Sequence, residues 1–162
     1  MTDMYTLSAP SFVRPGASAS RALRSAGAYD AAPAPTPRSA SQQRDLALND
    51  LVEVFMAHRE AGANGYGSAP ANRDSFGYAV GLLHQLPPTV PDPDVSADPD
   101  GEVALEWYAG PRQTLSVSVG SDGQLRYAAL VGTEEVAGRV RFDGRTMPSV
   151  VVALAHRAMN ID

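Results

Sequence analysis

The chain contains no cysteine and no lysine. The first absence excludes disulfides, thiol nucleophiles and thiolate metal sites, and it fits a reducing compartment. The second leaves all 13 basic residues as arginine. Beside so much alanine, glycine and proline, that points to a GC-rich coding sequence before it points to arginine chemistry. No stretch approaches the roughly 18 consecutive apolar residues of a membrane-spanning helix. No continuous apolar core follows a basic start, so no secretory signal is expected either. These absences together lead us to expect a cytoplasmic protein with no membrane association.

Catalytic signatures are also missing. There is no GxSxG elbow, no GxxxxGK[ST] phosphate loop and no HxxxH, HxH or HExxH metal spacing. His58, His84 and His156 each fall near the end of an expected helix, where a cationic side chain complements the helix dipole. Ser121 and Ser149 sit in turn and helix-start contexts that need no chemistry. From this we expect no catalytic residue, no metal ligand set and no cofactor.

What remains is a chain of 162 residues with a 44% apolar share, enough for one compact domain. Residues 1–40 are rich in alanine, serine and proline and end in Ala31-Ala32-Pro33-Ala34-Pro35-Thr36-Pro37. Such a stretch buries too little apolar surface to offset its ordering entropy, so a flexible or extended tail is expected. Tyr5 and Leu7, then Phe12 and Val13, interrupt it as short hydrophobic clusters able to anchor on a partner. The tail carries four arginines against two aspartates, the remainder nine arginines against sixteen acidic residues. The remainder is therefore near −7, which disfavours nucleic acid and anionic lipid.

Residues 41–162 read as a single α+β domain. Helices are expected at about 42–61, capped by Ser41, at 73–86, capped by Asn72, and at 148–159, with Pro148 in the first helical position. Their apolar stripes are Leu48, Leu51, Val52 and Phe55; Phe76, Ala79, Val80, Leu83 and Leu86; and Val151, Leu154, Ala155 and Ala158. The stretch from Pro87 to Gly101, rich in proline and aspartate, reads as a linker or extended edge. Beyond it the period switches to 2, predicting strands at about 102–108, 113–119, 124–130 and 135–142, with turns at Gly120–Gly123 and Gly132-Thr133. The expected fold is a four-stranded antiparallel meander covered on one face by helices, in the order α-α-β-β-β-β-α.

Three clusters invite a functional reading. Asp92, Asp94, Asp98, Asp100 and Glu102 gather acidic oxygens, but EF-hand spacing would put Ser96 first and Trp107 where the glutamate belongs, so a solvated acidic linker is expected. Asn64-Gly65-Tyr66-Gly67-Ser68 is glycine-rich but follows a helix, so it reads as a turn with Tyr66 as a small anchor. On the solvent face of the meander, Arg112, Arg126, Arg139 and Arg141 form a candidate basic stripe. Glu106, Glu134 and Glu135 are close enough to neutralise it by cross-strand pairing.

The segments Gly65-Tyr66-Gly67-Ser68-Ala69-Pro70 and Val95-Ser96-Ala97-Asp98-Pro99-Asp100-Gly101-Glu102-Val103-Ala104-Leu105-Glu106-Trp107 carry a resemblance, joined by the hairpin from Leu115 to Leu130. From about residue 65 to 160 the chain resembles a recurring type of small bacterial protein to which no activity is assigned. Similar sequences place Trp-Asp before the Gly-Tyr-Gly, where this chain has Ala63-Asn64. The resemblance implies a bacterial accessory protein of the toxin–antitoxin or defence kind and brings no substrate or catalytic residue.

The functional expectation is a non-enzymatic module of antitoxin, immunity, adaptor or assembly-factor type. It would bind a protein partner through Tyr5, Leu7, Phe12, Val13 and Tyr66 and through Arg112, Arg126, Arg139 and Arg141. Two alternatives stand beside it. One is a small-ligand binder or enzyme with a site assembled from distant residues such as Tyr66, His84, Glu106 and Arg126. The other is an RNA- or DNA-associated factor using the arginine stripe.

Overall fold

A computed structural model describes residues 39–63 and 67–161. They form α1 (Ala40–Ala57), α2 (Arg73–Gln85), five strands and α3 (Ser149–Met159). The strands are β1 (Asp94–Ala97), β2 (Val103–Gly110), β3 (Gln113–Val119), β4 (Gln124–Val131) and β5 (Glu134–Arg141). All pair antiparallel with their sequence neighbours, giving one sheet in the order β1-β2-β3-β4-β5. The α+β class and the meander are as expected, but the sheet has five strands rather than four. The extra strand lies inside the proline-rich stretch between Pro87 and Gly101. Pro91 and Pro93 precede β1 and Pro99 follows it, and an edge strand is where a sheet tolerates neighbouring prolines.

The helix ends also differ from expectation. Helix α1 starts two residues earlier because Ser39, not Ser41, is its cap. Ser39 and Gln42 bond each other's backbone in a capping box. The helix stops at Ala57, four residues short of the expected end, where the His58 ring nitrogen Nδ1 bonds the Val54 carbonyl at 2.8 Å. Helix α2 begins as expected, with Asn72 accepting from the N–H groups of Asp74 and Ser75. Pro148 is the cap residue of α3 and not its first helical position, a shift of one.

Alternation along the strands sends Val103, Leu105, Trp107, Leu115, Val117, Val119, Leu125 and Ala129 to one face, where all are buried. Val151, Leu154, Ala155 and Ala158 of α3, the full expected stripe, close over that face. In α2 the buried stripe is Ser75, Ala79, Leu82 and Leu83, rotated from the expected one. Phe76 turns aside to stack on Phe55 of α1, ring centroids 4.6 Å apart. Trp107 anchors the core centre, its indole N–H donating to the Pro91 carbonyl at 2.7 Å.

The rotation of α2 has a cause in Ser75. Its hydroxyl donates to the Val119 carbonyl at 2.6 Å and accepts from the Val103 N–H at 2.8 Å. Val103 and Val119 are register partners at the end of the β2–β3 ladder. A fully buried hydroxyl thus completes a rung of the sheet. At the other end of α2, Arg44 of α1 donates to the carbonyls of Leu83 and Leu86 and pairs with Asp92 at 2.7 Å. Carbonyls at the end of the helix, where the internal ladder runs out, are satisfied there by a guanidinium from the neighbouring helix, Leu83 accepting also from the Leu86 N–H.

Ser75→Ala leaves the Val103 N–H and the Val119 carbonyl buried without a partner. The expected loss is roughly 2–4 kcal/mol, read as a lower urea midpoint at unchanged slope. A midpoint within error of the parent would show that the hydroxyl is not needed.

Candidate functional site

The second face of the sheet carries no helix among the described residues; α2 and α3 both pack on the buried face, and α1 adjoins β1. Register fixes what this open face displays. Asp94, Glu106, Ser116, Ala128 and Ala137 form one row across the five strands, and Ser96, Ala104, Ser118, Arg126 and Arg139 the next. Tyr108, Thr114, Leu130 and Glu135 form a third. Asp94 and Glu106 therefore lie on the β1–β2 side, and Arg126, Arg139 and Arg141 on the β4–β5 side, where Glu135 is the one carboxylate among them. Between them lies a floor of serine and alanine. Tyr108 stands at the rim, 56% exposed, beside the bulge that leaves Ala109 unpaired in β2. A bulge re-aims the neighbouring side chain.

One corner of the face is a dense polar network. The Ser118 hydroxyl lies 2.9 Å from a carboxylate oxygen of Asp98 and 3.1 Å from one of Glu102, both from the turn between β1 and β2. A single hydroxyl proton can serve only one of them at a time. Arg126 closes the network through an ion pair with Glu102 and a longer one to Asp100 at 3.9 Å. Burial raises the pKa of Asp98, the Ser118 hydrogen bond opposes it, Asp100 adds to the rise and Arg126 counters it.

The turn beneath this corner is tied to the segment that follows the glycine loop. Ala69 donates to the Pro99 carbonyl at 2.8 Å, and Asn72 to that of Gly101 at 2.7 Å. Gly101 has φ +86°, and a Cβ there would fall 2.2 Å from the Pro70 carbonyl oxygen. Only glycine satisfies both the left-handed backbone and that approach. The two sequence segments that carry the resemblance thus meet at one edge of the open face.

Of the arginine stripe, Arg126, Arg139 and Arg141 share the β4–β5 side, with Arg126 and Arg139 directly opposed. Arg112 is at the other end of β3, where its side chain bonds the Gly132 carbonyl. The neutralising carboxylates are also different from those expected. Glu102 and Asp100 take Arg126, whereas Glu134 pairs with Arg157 of α3. Tyr5, Leu7, Phe12, Val13 and Tyr66 lie outside the described residues.

The histidines do not enter this face. His58 closes α1, His84 lies exposed in the last turn of α2 and His156 bonds the Thr89 hydroxyl at 3.1 Å. No group of three or more acidic or histidine side chains among the described residues could hold a metal ion. A shallow open depression at the end of α1, lined by Met56–Ala63, contains none of His84, Glu106 or Arg126. No described helix is long and apolar enough to cross a membrane. Sequence reasoning had no means of finding Ser118 as the hub of the corner, because its partners are about 20 residues away and meet it only through strand register.

Glu106, in the centre of the acidic flank, has its pKa raised first by burial and then by neighbouring Asp94. A raised carboxylate disfavours the folded state above its folded pKa. That penalty disappears as pH falls through the raised value towards the ordinary value of about 4.3. Glu106→Gln is therefore expected to raise the melting temperature at pH 7 by roughly 1–3 °C, a small gain because solvent screens a half-exposed group. The gain should vanish near pH 4. An equal gain at both pH values would refute the electrostatic account.

No protein-family model matches the chain, and neither does a curated protein or a solved structure.

Proposed function

We propose that this chain is a non-enzymatic protein-interaction module that receives a protein partner across the open face of its sheet, in an accessory system of antitoxin, immunity, adaptor or assembly-factor type. The observation that carries the reading is the face itself. A serine–alanine floor runs across β3, β4 and β5, with Asp94 and Glu106 on one flank, Arg126, Arg139 and Arg141 beside Glu135 on the other, and Tyr108 at the rim. A low centre lets a partner approach closely, and a rim tyrosine supplies contact area at little entropic cost. Charges of both signs select a partner of complementary pattern and set its orientation.

The same pattern weighs against a phosphate backbone as the ligand. One flank of the face is acidic, and Arg126 is already committed to Glu102 and Asp100. On this reading Arg139 meets acidic groups of the partner. The hydrophobic pairs Tyr5 with Leu7 and Phe12 with Val13 offer it a second contact.

The test is affinity purification of the full chain from its host, compared with two face variants. Ala128→Arg raises the floor and Tyr108→Ala removes the rim. Each is expected to weaken a stoichiometric protein partner by about tenfold or more while the melting temperature stays within a few degrees. A control variant on α1, Val52→Ser with Met56→Ser, should bind as the parent does. A partner held equally well by both face variants would sink the proposal, as would the absence of any stoichiometric partner.

A further inference from the structure

The two edges of the sheet are treated differently. Strand β1 has α1 packed beside it and is four residues long. Strand β5 is eight residues long, and among the described elements its backbone adjoins β4 alone. The Phe142 N–H bonds the Gly123 carbonyl at 2.8 Å, in the β4–β5 register. Hydrogen-bonded pairs alternate along an antiparallel ladder, so even-numbered residues of β5 turn their backbone groups towards β4. Glu135, Ala137, Arg139 and Arg141 then turn theirs outward. No bulge or proline interrupts this row, and such an edge is a template for another strand.

The sequence of that strand selects its mate. It reads Glu134-Glu135-Val136-Ala137-Gly138-Arg139-Val140-Arg141, acidic in its first half and basic in its second. Charges of one sign along an edge keep copies apart; charges divided in this way attract an antiparallel copy. From this we infer that β5 pairs with β5 of a second copy of the chain, about a two-fold axis at Gly138, joining two sheets into one.

In that register Glu135 faces Arg141 of the second copy, and Arg141 faces its Glu135. Val136 faces Val140 in the same reciprocal way, on the face continuous with the core. The outward-turned residues pair with one another, giving about eight inter-copy backbone hydrogen bonds. The valine pairs are of the non-hydrogen-bonded kind, whose side chains lie closest. On the axis, Gly138 meets Gly138. The phenol of Tyr127 already lies across it, 2.5 Å from where a Cβ would be, so the ring covers the glycine on the core side. Glu135 and Arg141 form no ion pair within their own chain among the described residues. They are therefore available to a second copy.

Sedimentation or light scattering on the full chain at about 100 µM is expected to give twice the 17.0 kDa of one chain. Glu135→Arg and Arg141→Glu, made singly, set like charges opposite each other twice per dimer. Each should raise the dimer dissociation constant by about tenfold or more. The two together exchange the signs and restore attraction, so the double variant should return to within about threefold of the parent. Circular dichroism confirms that each variant is folded. A parent that stays monomeric overturns the inference, as do single variants that dimerise like the parent. So does a double variant no better than the singles, because unfolding or loss of charge would give that result and restored complementarity would not.

Discussion

The Ser75 hydroxyl holds a place in the sheet that belongs to backbone. It bridges the Val103 N–H and the Val119 carbonyl while sitting in the first turn of a helix, α2. Sliding or rotating α2 by one residue would orphan the hydroxyl and two backbone groups together, at a cost of several kcal/mol. The phase of α2 is fixed in consequence, and with it the set Ala79, Leu82 and Leu83 that faces the strands. Asn72 caps the helix on one side of this anchor, and Arg44 collects its last carbonyls at the far end. Helix α1 is then positioned through Arg44 and through the contact of Phe55 with Phe76. Two helices, α2 and α1, are placed by a chain of interactions that starts from one hydroxyl.

The open face follows from that placement. With α2 and α3 committed to the valine and leucine side, the opposite side must be compatible with water. Small side chains at Ala104, Ser116, Ala128 and Ala137 achieve this without burying polar groups, and apart from Glu135 of β5 the charged residues are segregated by strand. The segregation is not an accident of the edges alone. Asp98, Asp100 and Glu102 all arise from the turn that Ala69 and Asn72 hold in place, so the acidic corner is as firmly built as the core. Arg126 bridges from the basic side to that corner and leaves Arg139 and Arg141 as the cationic residues of the far flank.

How much of this was legible in the sequence depends on the range of the interaction that decides it. Strand alternation and two-residue turns are local, and β2 to β5 fall close to where periodicity puts them. The α3 stripe is local too and was read in full. Strand β1 was obscured because four residues among prolines have no period to read, and only pairing with β2 makes Val95 and Ala97 inward. In α2, Ser75 reads as a polar residue on a helix, yet it is the buried one, because its partners are 28 and 44 residues away. The stripe of α1 was misphased for a related reason: Val52 looked apolar and therefore buried, but α1 covers only an edge and leaves it 49% exposed. At the candidate face, the presence of an arginine group was legible. Its division was not, because only register separates Arg112 from Arg126, Arg139 and Arg141.

The two edges of the sheet bear on the face between them. At β1 the acidic flank ends against α1, so the face cannot be extended on that side. At β5 no described element closes it, and pairing through Gly138 would carry the face across the two-fold axis. The serine–alanine floors of two copies would then become one surface. The arginines of both copies would come together near its centre, and the carboxylates would be moved to its two ends. Glu135 would neutralise Arg141 across the seam, leaving Arg139 of each copy as the uncompensated charge beside the axis. A partner selected by such a surface must itself be acidic at its middle or two-fold symmetric. Self-association of this kind would determine which molecules the face can accept, and the strand that sets the oligomer would also set the specificity.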